Sequence, residues 1–285
     1  MLLRNLRRYL QPPREMPDEL RRNYFHLVMD IGWFGVLNAT TMAFLTVYAT
    51  RIHALPEQIG FINAVPALLT MFLSLPAGSY LEKRSISKSV NLLGLVHRSF
   101  YFFLVLIPFV ASQPNQITLL LLLTFFMYIP YSAFSLAFNS LFGAAVPIEW
   151  RGYVAGSRNA LFAVVTILVS LLSGYLLKTL TFPMGYQVVF GLGFVGAMMS
   201  QYHLSKIRIP AGGSAEVELI AEKKKITLVN RIRQTMRFDI LRGPFLRVLL
   251  VLTAFHFAQY LPIPLFPVYN VNVLHLTDQV ISLGT

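Results

Sequence analysis

The chain has 285 residues, of which 55% are hydrophobic and only 13% charged, with a net charge of +12 and no cysteine. A soluble core of this size cannot hide that much apolar surface, so the solvent of most side chains is lipid, and disulfides, thiolate catalysis and Cys-based metal sites are excluded. The positive charge therefore reads as a membrane-topology and anionic-lipid signal, not as a nucleic-acid footprint.

In chain order, residues 1–23 form a basic tail with Arg4, Arg7, Arg8, Arg14, Arg21 and Arg22 and no uninterrupted apolar run of the signal-peptide kind. Leu2, Leu3, Leu6 and Leu10 either line a short interfacial helix or belong to a disordered tail. Seven apolar runs of spanning length follow, at about residues 24–50, 58–81, 90–110, 117–146, 153–177, 184–204 and 246–271, and Val280 to Thr285 open an eighth. Unbroken apolar runs such as Ile117 to Met127 exclude the alternation of a membrane barrel and predict an all-α protein. Twenty Lys and Arg fall in the tail and in alternating loops, against Arg51 and Lys178 on the other side. That asymmetry places the N-terminus and the central loop in the cytoplasm.

Ionisable residues inside the runs are costly and therefore candidate sites. Asp30 lies about 9 Å past the start of the first span at 1.5 Å per residue, Arg158 sits at similar depth in the fifth, and Arg98 about a turn deeper in the third. These three are read as an ion pair or as a proton-coupling site. On the fourth span Tyr128, Ser132, Ser135 and Asn139 share a face, and on the fifth Asn159, Thr166, Ser170 and Ser173 do. Such faces either hold helices together or line a watered cavity, with Tyr128 and Asn139 the better candidates for solute contact. Gly191-Leu192-Gly193-Phe194-Val195-Gly196 has dinucleotide-binding letters but no preceding strand, so its glycines are assigned to close helix packing. His26, His97 and His256 are scattered over three helices without ligand spacing, and no nucleophile–base–orienter set is present. No metal, cofactor or enzymatic activity is expected.

Between Ser205 and Phe245 the apolar pattern lapses into Pro210-Ala211-Gly212-Gly213-Ser214 and Lys223-Lys224-Lys225. There Leu228, Ile232, Met236 and Ile240 recur every four residues opposite Arg231, Arg233 and Arg237. This predicts a linker and a basic amphipathic helix on the membrane surface. Beyond it the chain echoes its own start. With a shift of 221 positions Phe34 falls on Phe255, Val47 and Tyr48 on Val268 and Tyr269, Leu55 on Leu276, Gln58 on Gln279 and Glu57 on Asp278. A second helical unit opens here and is not completed before Thr285, so the chain reads as C-terminally incomplete.

Six spans, a long basic loop and a seventh span echoing the first resemble the major facilitator superfamily. Two local stretches add to the likeness. Gly78-Ser79-Tyr80-Leu81-Glu82-Lys83-Arg84 is similar to its cytoplasmic signature, with Glu82 for the usual acid, and Val146-Pro147 through Arg151-Gly152, Gly156, Arg158 and Asn159 to the start of its fifth helix. The resemblance implies a gating group of Gly78, which permits close packing, and Glu82, which pairs with a cation such as Arg151. It also implies a cavity lined by the first, fourth and seventh helices, favouring Asn38, Tyr128, Asn139, His256, Gln259 and Tyr260 as solute contacts. The sugar-porter and antiporter patterns of the family are absent, so no subfamily is named.

The organisation expected is a basic tail (1–23), a six-helix bundle (24–204), a basic linker (205–245) and the start of a second bundle (246–285). The function expected is secondary active transport of a small solute by alternating access, coupled to H+ or another ion, in the plasma membrane or cell inner membrane. The alternative is a non-transporting polytopic protein, either receptor-like with seven helices or a half-size bundle.

Overall fold

The computed structural model describes residues 12–13, 15–82, 84–110, 112–210 and 244–284. The tail helix expected before Pro12, the amphipathic helix expected at 228–240 and Lys83 lie outside these residues. Every described regular element is helical, and each of the seven apolar runs is helical, the seventh with a break after Tyr260.

The first run is α1 (Asp18–Leu37), a π-helical turn (Asn38–Met42) and α2 (Ala43–Arg51), continuous as one rod. Then come α3 (Pro56–Leu81), α4 (Ile86–Leu106), α5 (Gln113–Ala145), α6 (Ile148–Thr179) and α7 (Met184–Ser205). After the linker, α8 (Pro244–Tyr260) is followed by α9 (Leu265–Val268), a second π-helical turn (Tyr269–Val273) and α10 (Asp278–Ser282). The break after Tyr260 falls at Pro262 and Pro264, which cannot donate to the helical ladder. Starts are set locally as well. In α3, Pro56 occupies the first turn, where its missing N–H costs nothing, and the Gln58 side chain accepts the Leu55 N–H at 2.8 Å.

Among the described residues six helical segments are long and apolar enough to cross a membrane: Asp18–Arg51, Pro56–Leu81, Ile86–Phe109, Gln113–Ala145, Ile148–Thr179 and Phe245–Val273. The helix Met184–Ser205 carries Gln187, Ser200, Gln201 and His203. It sits inside the bundle, where α1 packs against α7 and α6, α7 against α4, α4 against α5, and α5 against α3. Phe72, Leu168, Leu172 and Phe126 point outward, as lipid-facing side chains must when no water is there to be avoided.

Glycine fixes the α1–α7 contact. A Cβ on Gly196 would meet the Trp33 carbonyl oxygen at 2.9 Å and the Leu37 nitrogen at 3.1 Å, and one on Gly193 would overlap the Thr40 and Thr41 hydroxyls of the π-helical turn. These two glycines permit the backbone approach expected of them, whereas Gly191 faces open space. Gly78 also faces open space, so the close packing anticipated there is not seen among the described residues.

The alternating helix directions divide the molecule into two ends. One carries Arg21, Arg22, Arg84, Lys88, Arg151, Lys206 and Arg208, and the other carries Arg51 and Lys178. Each end has its own hydrophobic cluster, built around Leu27, Val90, Leu141 and Val154 at the basic end and Tyr48, Leu104, Leu120 and Phe190 at the other. The internal echo reappears as geometry. After the first and the seventh spans a histidine, His53 (φ 64°) and His275 (φ 51°), takes the left-handed backbone region and turns the chain into the next helix.

Candidate functional site

Between the two hydrophobic clusters lies a layer of buried charge. Asp30 on α1, Arg98 on α4 and Arg158 on α6 are 3%, 4% and 9% exposed. Arg158 donates from Nη1 to Asp30 Oδ2 at 3.1 Å and to the Leu27 carbonyl at 2.7 Å. Ser200 on α7 donates to Asp30 Oδ1 at 2.6 Å and accepts from Arg98 Nη2 at 2.8 Å, while Arg98 Nη2 itself lies 4.0 Å from that carboxylate oxygen. Arg98 Nη1 donates to Gln201 Oε1 at 2.7 Å, and the Gln201 amide reaches the Asn91 carbonyl at 3.3 Å. Aromatic rings hold the guanidinium planes: Phe134 under Arg98 at 4.8 Å and Phe138 under Arg158 at 5.2 Å.

Breaking such a pair by deleting one partner strands the other's charge, a loss of about 3–5 kcal/mol in a buried setting. The network therefore ties α1, α4, α6 and α7 together in one register. Gly94 makes it possible, because a Cβ there would overlap Gln201 Oε1 and stand 3.0 Å from Arg98 Nη1.

The same side chains open onto a cavity of about 280 Å³, whose wall includes Asp30, Arg98, Tyr131, Ser135, Asn139 and Arg158. A second cavity of about 250 Å³ lies toward the other end, with Tyr128, Thr41, Thr46, Asn63 and Tyr101. The rings of Tyr128 and Tyr131 are 5.1 Å apart between the two, beside buried His97, whose Nδ1 bonds the Met127 carbonyl at 2.9 Å. A third space of about 340 Å³ separates Ala43, Thr46 and Asn63 from Phe266, Pro267 and Asn270.

Above this third space the two sequence units are joined by an ion pair. Arg51 at the end of α2 donates from Nε and Nη2 to Asp278 Oδ1 at 3.1 and 2.9 Å, and from Nη2 to the Leu276 carbonyl at 2.6 Å. Tyr186 on α7 donates to Asp278 Oδ2 at 2.9 Å. Asp278 opens α10, where the helix N-terminus also favours a carboxylate. Alongside, Ser282 fits into the notch left by Gly174, and Ser170 donates to the Ser282 carbonyl at 3.1 Å. Ser173 donates to the Ala39 carbonyl at 3.2 Å, so the serine face of α6 acts as glue between helices.

Of the residues singled out in the sequence, Asp30, Arg98, Arg158 and Asn139 meet at one cavity and Tyr128 at its neighbour. Asn38 is half-buried at the start of the π-helical turn, and Gln259 is exposed on α8. Neither lines these three cavities. His256 and Tyr260 are exposed on α8 with their rings 5.8 Å apart. Arg151 donates to the Val146 and Gly143 carbonyls at 3.0 and 2.6 Å, closing the end of α5, and Glu82 follows α3 beside Arg84, which lies over the Tyr80 ring. The sequence reading missed Gly94, Ser200, Gln201, His203 and Tyr186. His203 lies 3.1 Å from His26 between ring nitrogens, at the basic end.

A family model described as Major Facilitator Superfamily matches residues 28–285, nearly the whole chain. No curated protein matches, and no solved structure matches.

Proposed function

Because this chain belongs to the major facilitator superfamily, we propose that it carries a small solute across its membrane by secondary active transport, with access alternating between the two ends of the bundle. The observation that supports this best is the pairing of a polar cavity toward the basic end with an ion-pair latch between the two sequence units at the opposite end. A closed contact at one face and a cavity nearer the other is what a single state of a rocking carrier requires.

In this reading residues 24–204 form one unit and residues 246–285 belong to the next, with 1–23 and 205–245 as basic cytoplasmic segments. The basic end faces the cytoplasm of a cell whose plasma membrane holds the protein. Asp30, Arg98, Arg158 and Asn139 form the solute station, and Tyr128 continues its path outward. Asn38, His256, Gln259 and Tyr260 serve other stages of the cycle, and Gly78, Glu82 and Arg151 act at the cytoplasmic gate. A coupled ion, H+ or another, supplies the driving force.

The absence of native cysteine makes the test direct. Single cysteines at Thr46 and Asn139 are probed in the full chain with an impermeant thiol reagent from each side. Reciprocal changes are expected: whatever raises labelling at Thr46→Cys from outside lowers labelling at Asn139→Cys from the cytoplasm. Labelling that rises and falls together at both positions would refute alternating access.

A further inference from the structure

The Asp30 cavity holds two guanidinium groups against a single carboxylate, and that carboxylate is fully engaged, Oδ1 by Ser200 and Oδ2 by Arg158. Resting on the reading of this cavity as the solute station, we propose that the solute is a small organic anion whose oxyanion group is received between Arg98 and Arg158. A net positive charge in a water-poor interior is costly unless an anion neutralises it. Arg98 Nε is buried and has no hydrogen-bond partner among the described residues, so the protein leaves part of this guanidinium's charge uncompensated. Among the described residues Arg158 donates from Nη1 alone, which leaves its other donors for a ligand. Planar guanidinium forks suit two-oxygen groups, and Tyr131, Ser135 and Asn139 add neutral polar partners on the same wall. A cationic solute finds no unspent acid there. A cavity of about 280 Å³ restricts the cargo to metabolite size.

The test uses four probes of one shape, benzoate, phenylphosphonate, benzamide and benzamidine, with binding to the purified full chain measured by titration calorimetry. Benzoate or phenylphosphonate is expected to bind at least tenfold tighter than benzamide, with benzamidine weakest. Arg98→Gln is expected to weaken the anion by roughly tenfold or more, the scale of one hydrogen bond to a charged group. Asn139→Asp, at an exposed position on the cavity wall, leaves the network untouched and is expected to abolish the anion preference, so it decides the matter if Arg98→Gln does not fold. Equal binding of anion and amide, preference for benzamidine, or an anion preference untouched by Asn139→Asp would overturn the proposal. The transport reading fails separately: anion binding with these dependences but without reciprocal cysteine access keeps the site and removes the carrier, and reciprocal access without anion preference does the reverse.

Discussion

Replacing Asp278 by Asn tests the latch between α2 and α10. The carboxylate receives Arg51 through Nε and Nη2 and Tyr186 through its hydroxyl, all within 3.1 Å, and its side chain is 13% exposed against 27% for Arg51. A pair this sheltered is screened less than a surface pair, and hydrogen bonds to a charged group contribute about 1.5–3 kcal/mol. Asn keeps an acceptor but loses the charge. The closed state should therefore be destabilised by about that amount, a shift of roughly 10- to 150-fold in the ratio of closed to open molecules. Tyr186→Phe removes a hydrogen bond to the same charged carboxylate and should shift the ratio by roughly 10-fold or more. The assay is the labelling rate of Thr46→Cys, which lines the space beneath the latch. If labelling waits on opening, its rate should rise by those factors. Arg51→Gln combined with Asp278→Asn should cost less than the two single changes added, because each removes the same contact. An unchanged rate in Asp278→Asn, or strict additivity in the double variant, would show that the ion pair does not hold this face closed.

Three further outcomes are expected. Cysteine at Ser205 should react with an impermeant reagent only from the cytoplasm, and cysteine at Gln113 only from outside; both are exposed, at opposite ends of the bundle, and reversed labelling would sink the orientation. Glu82→Gln should slow turnover more than it weakens solute binding if Glu82 biases one state of the cycle, and equal turnover would make it a loop charge only. Gly196→Leu should lower the melting temperature of the purified protein through a clash worth about 1–3 kcal/mol or more against the α1 backbone, whereas Gly191→Ala, facing open space, should leave it unchanged.

The parts legible in the sequence were those where a residue conflicts with its surroundings. Asp30, Arg98 and Arg158 announce themselves because a charge in an apolar run needs a partner, and the structure brings the three together. Ser200, Gln201 and Gly94 make no such announcement, since small and neutral polar residues occupy membrane helices for many reasons. Only the close approach of α4 and α7 reveals that Gly94 clears room for Gln201. Gln187, Ser200, Gln201 and His203 are all neutral, and the helix that carries them is otherwise apolar, so its sequence does not single them out. Arg51 and Asp278 lie 227 positions apart, and nothing local joins them. The repeat did place Asp278 on Glu57, in the turn beside Arg51. For Asn38 and Gln259 the repeat fixes depth and not rotation, since a side chain's direction changes by about 100° per residue.

The cavity and the latch share one helix. Asp30 and Arg51 stand 21 residues apart on the rod formed by α1 and α2, about 31 Å along its axis, and the π-helical turn Asn38–Met42 lies between them. That turn is where the rod departs from α geometry, with Thr40 donating to the Val36 carbonyl at 2.7 Å, and it rests on α7 at Gly193 with no room for a side chain. A motion that parts Arg51 from Asp278 must either be absorbed in this turn or be carried through the rod to Asp30. In the first case α2 moves alone and the charged network stays intact. In the second, Asp30 shifts against Ser200 on α7 and the spacing of the two guanidinium groups changes with it. The helix that carries Arg51 to its pair with Asp278 is therefore also the helix that sets the geometry of the charged cavity, and this connection gives events at one end a physical route to the other.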